Sequence, residues 1–166
     1  MQVLVSDTSV IIDLERGRLL ERVFQLRYEF VVPDLLFEDE LRPYGGERLL
    51  ELGLRVAELD DAGVSEAIQA RRETPALSLP DVFAYTLARA NSWVLLSGDG
   101  PLRALAERTN VECHGVLWIF DELEANALVD PQGLHDSLSL ISQHERCRLP
   151  TPEIRKRLRR YKDPHG

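Results

Sequence analysis

Two aspartates of this chain directly follow short apolar runs, where a folded sheet would place them side by side. Asp7 follows residues 2–6, and Asp99 follows residues 93–96 after Ser97 and Gly98. Runs of this length and composition predict buried strands. In open α/β folds the carboxyl ends of parallel strands border one crevice, and ligands bind there. The two carboxylates are therefore predicted to lie at the same edge of a sheet.

Two further acids, Glu40 and Asp81, lie early in predicted helices. Asp81 follows Ser78 at the spacing of a helix capping box. Glu40 follows Leu36 by one helical turn, which places it beside the apolar stripe, whereas Glu38 points toward solvent. In a parallel sheet, strand ends and the starts of the next helices lie on one side. We therefore expect all four acids at one site, with Glu38 as the alternative to Glu40.

Converging carboxylates repel one another unless a cation lies between them. Mg²⁺ and Mn²⁺ prefer oxygen ligands, and they suit sites where a phosphate supplies further oxygens. Metals held in this way activate a water and stabilise charge during phosphodiester hydrolysis. The four acids therefore predict a Mg²⁺ or Mn²⁺ site with nuclease or phosphatase chemistry. Each acid taken alone is equally well explained as a helix cap or a solvated side chain.

The chain lacks the motifs of several other chemistries. It contains no P-loop, no G-x-G-x-x-G and no G-x-S-x-G, and its 4 histidines form no H-x-x-x-H pair. Its 166 residues predict one domain, and no apolar run approaches the length of a membrane span. The first residues do not resemble a signal peptide. Because Cys113 and Cys147 form no C-x-x-C pair, we expect a reducing, cytoplasmic location.

The basic residues are concentrated in a few places. The net charge of −8 argues against indiscriminate nucleic-acid binding, yet six of the 20 bases fall between Arg155 and Lys162. Arg155 and Arg159 are therefore candidates for RNA binding. Arg71 and Arg72 are two more, because they lie at the end of a helix that leads toward Ser78. For all four arginines a solvated helix surface is the alternative.

Strands and helices alternate along most of the chain. Strands are predicted at residues 2–6, 28–32, 54–59, 93–96 and 111–115, the third at an edge of the sheet. Helices are predicted at residues 19–25, 35–44, 47–52, 64–72, 79–91 and 101–108. Asp34 is the predicted cap of the helix at residues 35–44, and Pro43 is predicted to end that helix. A turn is predicted at residues 60–63. This alternation predicts an α/β fold with a mostly parallel sheet between two helical layers.

From residue 116 onward the pattern becomes helical only. Helices are predicted at residues 117–128 and 131–142, and a last basic helix begins at Pro152, after a connector at residues 147–151. We therefore divide the chain into an α/β domain at residues 1–120 and a C-terminal helical extension at residues 121–166. The extension either packs on the domain or projects from it.

The order of these motifs resembles a PIN-domain ribonuclease, a family that includes VapC-like toxins of toxin–antitoxin pairs. The resemblance covers roughly residues 2–120 and is carried by VLVSDTSVIIDL, VVPDLLFEDEL, LPDVFAYTLARANSWVLLSGDGPL and NVECHG. It implies a three-layer α/β/α fold and an acidic site that holds Mg²⁺ or Mn²⁺ and cleaves single-stranded RNA. The resemblance leaves open an antitoxin partner and a homodimer.

The resemblance also assigns roles to individual residues. Asp7 matches the aspartate that ends the first strand of the family, Asp81 the aspartate that starts the central helix, and Glu40 the glutamate of the second helix. Thr8 and Ser9 would orient Asp7 or the scissile phosphate.

Asp99 matches the aspartate of the family's T-x-D motif, written here Ser97-Gly98-Asp99. Serine keeps the hydroxyl of the usual threonine. Pro101 stands where many relatives have another Asp or Asn, which leaves a second metal ion open.

We therefore predict a cytoplasmic endoribonuclease of PIN type that depends on Mg²⁺ or Mn²⁺ and has RNA as its substrate. We expect no association with a membrane. The toxin of a toxin–antitoxin pair is the role that the resemblance suggests. Two other functions stay open. A non-catalytic PIN-like module would bind a protein partner through its C-terminal helices. A carboxylate-metal phosphatase would act on monoesters.

Overall fold

Five parallel strands form the single sheet of the computed structural model, which describes residues 1–164. The strands are β1 (Gln2–Ser6), β2 (Tyr28–Pro33), β3 (Arg55–Ala57), β4 (Val94–Leu96) and β5 (Cys113–His114). Their order across the sheet is β3-β2-β1-β4-β5, with β1 at the centre and β3 at one edge. The predicted edge strand at residues 54–59 is therefore shorter than expected.

Helices fill the connections and cover both faces of the sheet. They are α1 (Thr8–Arg16), α2 (Leu20–Val23), α3 (Asp34–Leu36), α4 (Glu47–Leu52), α5 (Asp61–Glu73), α6 (Leu79–Asn91), α7 (Gly100–Arg108), α8 (Val116–Ala125), α9 (Pro131–Ser142) and α10 (Thr151–Lys162). Within residues 1–164, none of them combines the length and apolar character that crossing a membrane requires.

The sheet has a topological switch point beside β1. The chain passes from β1 through β2 to β3 on one side, then returns to place β4 against the other side of β1. Ser6 pairs with Leu96 in register, and the backbone N–H of Asp7 donates to the carbonyl of Leu96 at 2.9 Å. The carboxyl ends of β1 and β4 are therefore level, and the connections diverge there to leave a crevice.

Alternate residues of each strand enter two separate cores. Leu4 and Val5, both fully buried, point to opposite faces of the sheet, as the two-residue period of a strand requires. The core with Leu4 includes residues of α1, α2 and α8–α10, and the core with Val5 includes residues of α5, α6 and α7. The predicted three-layer α/β/α fold is therefore confirmed.

The C-terminal helices pack on the α1 face of the sheet. Leu134, Leu138 and Ile141 of α9 are fully buried in the same core as Leu4. A Cβ at Gly17 would lie 2.9 Å from Ile141 Cδ1, so the end of α1 approaches α9 closely. The division of the chain at residue 120 stays a prediction, but the extension shares its core with the sheet.

Three local predictions are wrong. The single helix at residues 35–44 is instead α3, a π-helical turn at Phe37–Leu41 and a 3₁₀ turn at Arg42–Tyr44. Asp34 is the first residue of α3 rather than its cap, because its Oδ1 accepts from the adjacent Leu35 N–H at 2.8 Å. The predicted turn at residues 60–63 begins α5, because the Asp60 carboxylate caps that helix through the Gly63 N–H at 2.8 Å.

Shortening a buried leucine of α9 should destabilise the whole molecule. We expect Leu138→Ala, at a fully buried position, to lower the free energy of unfolding by about 2–5 kcal/mol, because it leaves a cavity. The control, Leu140→Ala, changes a side chain of the same helix that is 42% exposed, and should cost less than about 1 kcal/mol. Urea unfolding followed by circular dichroism measures both. Equal, small losses would contradict a shared core.

Candidate functional site

Asp7 lies at the end of the central strand with its carboxylate almost wholly buried. It caps α1, because its Oδ1 accepts from the Val10 N–H at 3.0 Å and from the Ser9 hydroxyl at 2.9 Å. Its Oδ2 accepts a short hydrogen bond from the buried hydroxyl of Ser97, at the end of β4. A carboxylate has about four acceptor positions, so these three bonds leave one.

Burial and a second acid shape the charge of this carboxyl group. Burial raises the pKa of Asp7 from 3.8 to about 6, although the hydrogen bonds from Ser97, Val10 and Ser9 oppose that rise. The negative charge of Asp81 makes a small contribution to the same rise in the pKa of Asp7, which places Asp81 within electrostatic reach. A buried carboxylate beside another acid is stabilised in its ionised form by a cation.

Ser97 joins Asp99 to the same group of side chains. The Ser97 hydroxyl accepts from the Asp99 backbone N–H at 3.0 Å while it donates to Asp7. Asp99 caps α7, and its Oδ2 accepts from the Leu102 N–H at 3.0 Å. A Cβ at Gly98 would lie 3.9 Å from the Ser9 hydroxyl oxygen, so this loop runs beside the start of α1. The structure therefore brings Asp7, Ser9, Ser97 and Asp99 together.

Asp81 sits in the capping box that its spacing predicts. Its Oδ2 accepts from the Ser78 N–H at 3.0 Å, and its own N–H donates to the Ser78 hydroxyl at 3.2 Å. Like Asp99, it uses one carboxylate oxygen as a cap. Among residues 1–164 the Oδ1 atoms of Asp81 and Asp99 receive no hydrogen bond. Each cap therefore leaves one oxygen for a ligand.

Glu40 faces a cavity of about 540 Å³ that Thr8 also lines. The Oγ1 atom of Thr8 is buried without a hydrogen-bond partner among residues 1–164. Glu38, by contrast, is exposed and held by Arg42, whose Nε and Nη2 donate to it at 2.8 and 3.0 Å. The π-helical turn therefore places Glu40, and not Glu38, beside the start of α1.

The oxygen atoms of the candidate site are of the type that binds a hard divalent cation, but not all of the side chains that carry them are close together. No three His, Cys, Asp or Glu side chains of the described chain are grouped closely enough to hold a metal ion. The donors are nevertheless all oxygens, the buried Asp7 carboxylate has a raised pKa, and the Thr8 hydroxyl lacks a partner. Oxygen donors of this kind fit Mg²⁺ or Mn²⁺.

The predicted RNA-binding arginines lie in two different places. Arg71 and Arg72 line a groove of about 350 Å³ with Leu79, which begins α6 two residues before Asp81. Arg155 and Arg159 are exposed on α10. In the part of the chain that is described, neither α10 arginine lines the cavities that contain Ser9, Glu40 or Asp99.

The sequence-based prediction missed two arginines that line the same groove as Asp99. Arg146 and Arg148 line a groove of about 320 Å³ together with Ser9, Asp99 and Arg16. The available signal was the alternation Arg-Cys-Arg-Leu at residues 146–149, which indicates two exposed arginines that alternate with residues that pack inward.

An α/β sheet with Asp7 and Asp99 linked through Ser97 at its switch point is typical of ligand-binding α/β proteins as a class. A family model described as PIN domain matches residues 3–163, and the chain therefore belongs to the PIN-domain family. The match extends through α10, well beyond residues 2–120. No curated protein matches the chain. PIN domains are generally nucleases that use divalent metal ions, so the predicted family and a nuclease-type module are supported.

The buried carboxyl group makes stability depend on pH. Because the pKa of Asp7 is raised from 3.8 to about 6, the folded chain binds this proton more tightly than the unfolded chain does. Its contribution to the free energy of unfolding therefore falls between about pH 4 and 6, by about 3 kcal/mol without metal.

We expect Asp7→Asn to remove this dependence, so that the variant gains stability relative to the wild type as the pH rises through that window. Urea unfolding in EDTA across the pH range measures the difference. Glu107→Gln, at an exposed position on α7, is the control and should follow the wild type. A constant difference between Asp7→Asn and the wild type would contradict the raised pKa.

Proposed function

We propose that this protein is a cytoplasmic endoribonuclease that hydrolyses phosphodiester bonds of single-stranded RNA with Mg²⁺ or Mn²⁺. Asp7, Glu40, Asp81 and Asp99 would hold one ion. The observation that carries the proposal is the buried Asp7 carboxylate, linked through Ser97 to Asp99 at the switch point of the sheet. Membership of the PIN-domain family supports the same chemistry.

We propose a separate role for each side chain near Asp7. Ser9 and Ser97 donate to Asp7 and so keep its carboxylate ionised and fixed. Asp99, tied to Ser97 through its backbone, presents its remaining oxygen to the same crevice. When bound, the divalent ion would supply Lewis acidity that activates water and stabilises charge on the phosphate.

Glu40 and Thr8 line the cavity of about 540 Å³, and they would form the other side of the site. The buried Thr8 hydroxyl has a proton to donate, and a phosphate oxygen of the substrate would accept it. Glu40 shares that cavity and is half-buried, so its carboxylate can hold the ion or accept a proton from water. Pro101 contributes no side-chain oxygen, and we therefore propose one ion rather than two.

The RNA strand would meet basic side chains near the acids. Arg71 and Arg72 border the start of α6, and we propose that they contact phosphates there. Arg155 and Arg159 offer a second, more distant contact on α10. Because the net charge is −8, binding would depend on such local groups and weaken with salt.

A toxin role extends the same proposal. Growth arrest on expression, relieved by the product of a small neighbouring open reading frame, would support an antitoxin partner. A homodimer is a further proposal, and the mass of the protein in solution tests it.

The two competing functions differ from the proposed one in their products. A non-catalytic module predicts no cleavage and no Mn²⁺-dependent rise in Tm, whereas a phosphatase releases inorganic phosphate from a monoester and leaves RNA intact.

Removing a metal-binding carboxylate should abolish cleavage. We expect purified wild-type protein to cut single-stranded RNA with Mn²⁺, and Asp81→Asn and Asp99→Asn each to lower the rate at least about 100-fold, because a ligand is lost. The control is Asp136→Asn, an exposed position on α9, which should cut at the wild-type rate. Gel electrophoresis of labelled RNA measures the rates. Equal rates in all four proteins would end the proposal.

The two glutamates of the π-helical turn should differ sharply. We expect Glu40→Gln to lower the cleavage rate by at least about tenfold, because Glu40 faces the cavity with Thr8. Glu38→Gln only loses an exposed ion pair with Arg42, so cleavage should be unchanged and stability should fall by less than about 1 kcal/mol. The opposite ranking of the two variants would assign the role to Glu38.

A further inference from the structure

The connector between α9 and α10 carries two arginines whose charges the protein leaves unbalanced. Arg146 and Arg148 are exposed, and within residues 1–164 neither forms an ion pair. The next helix is different, because Arg157 and Arg160 are both bound to Asp121, at 2.8 and 3.1 Å. The two connector arginines are therefore available to an anion.

The connector holds both arginines on one side. Cys147 and Leu149 are partly buried and pack against the core beneath α1, whereas Arg146 and Arg148 between them are exposed. The backbone N–H of Arg146 also donates to His144 Nδ1 at 3.1 Å, which fixes the turn before them. Both arginines are therefore exposed next to partly buried residues, and both line the same surface groove.

That surface is a groove of about 320 Å³ that also contains Ser9 and Asp99. The groove is lined by Ser9, Ile12, Asp13, Arg16, Gly98, Asp99, Arg146, Arg148 and Leu149. Arg16 and Asp13 pair with each other at 3.6 Å, so the two connector arginines outweigh the remaining acid, Asp99, and leave the groove positively charged. A positively charged groove that contains Asp99 is complementary to the phosphates of a strand bound next to the site.

We propose that this groove binds the phosphate backbone of the RNA strand next to the scissile bond, with Arg146 and Arg148 each contacting a phosphate. The inference rests on the proposed function and deepens it, because it names the path by which the substrate reaches Asp99. Guanidinium groups bind phosphate oxygens in pairs, which suits arginine for this contact. The C-terminal helices then serve the site directly, because the connector between them forms one wall of the substrate groove.

The test compares two pairs of exposed arginines with equal charge. Arg146→Ala/Arg148→Ala removes the connector pair. Arg22→Ala/Arg27→Ala is the matched control, because both side chains are exposed and Arg27 directly precedes β2, at the amino ends of the parallel strands, whereas Asp7 and Asp99 follow the carboxyl ends of β1 and β4. Every protein also carries Asp81→Asn to suppress cleavage. Fluorescence anisotropy with a labelled single-stranded RNA gives Kd over a range of NaCl concentrations, with and without Mn²⁺.

We expect the connector variant to bind RNA roughly tenfold more weakly and to lose about 1.4 from the slope of log Kd against log salt, about 0.7 for each phosphate contact. Arg146→Lys/Arg148→Lys should regain most of the binding, because it keeps the charges. The control pair should match the parent in both measures. All variants should share the parent's Tm, because the changed side chains are exposed.

Equal losses of RNA affinity in the connector variant and the control would overturn the proposal that this groove binds the RNA backbone. Unchanged affinity and salt slope in the connector variant would also overturn it, and RNA cleavage by the wild-type protein, which lacks Asp81→Asn, would then show that the proposed function survives. If the parent neither binds RNA nor, without Asp81→Asn, cuts it, the proposed function itself fails and the groove fails with it.

Discussion

The site depends on one buried carboxylate at the end of the central strand. Asp7 is 2% exposed, yet it is surrounded by donors that favour its charged form. Burial outweighs the hydrogen bonds from the two serine hydroxyls and the Val10 N–H, so the pKa of Asp7 is raised to about 6. A cation beside the carboxylate would offset that cost of burial. Strand pairing then determines what lies nearby, because β4 in register with β1 brings Ser97 and Asp99 to that carboxylate.

Helix capping and ligand binding are compatible in this site. Asp7 and Asp99 cap helices, Asp81 is the acid of a capping box, and each role needs only one oxygen of the carboxylate. Asp81 and Asp99 therefore keep one oxygen without a hydrogen bond among residues 1–164, and the second oxygen of Asp7 accepts only from Ser97. The explanation of each acid as a cap therefore accompanies the proposed metal site and does not replace it.

The fold was largely predictable from the sequence, because its signals are local. Apolar runs gave the strands, and Ser78 with Asp81 gave the capping box. The π-helical turn at Phe37–Leu41 was not predictable, since it adds a residue to a turn without a sequence signature. The sequence also did not single out Arg146 and Arg148 among the basic residues, and RNA binding by Arg71, Arg72, Arg155 and Arg159 stays a prediction. The position of Arg146 and Arg148 beside Asp99 follows from the packing of α9 on α1 at Gly17, a contact between residues far apart in the chain.

The central claim is that the oxygens around Asp7 form a cation site. The most direct measurement is anomalous diffraction from crystals soaked in Mn²⁺. We expect a Mn²⁺ peak at coordination distance from carboxylate oxygens of Asp7 and Asp99, and no such peak in crystals of Asp7→Asn. A Mn²⁺ peak that lies away from these carboxylates, or the absence of any peak in the wild-type crystals, would contradict it.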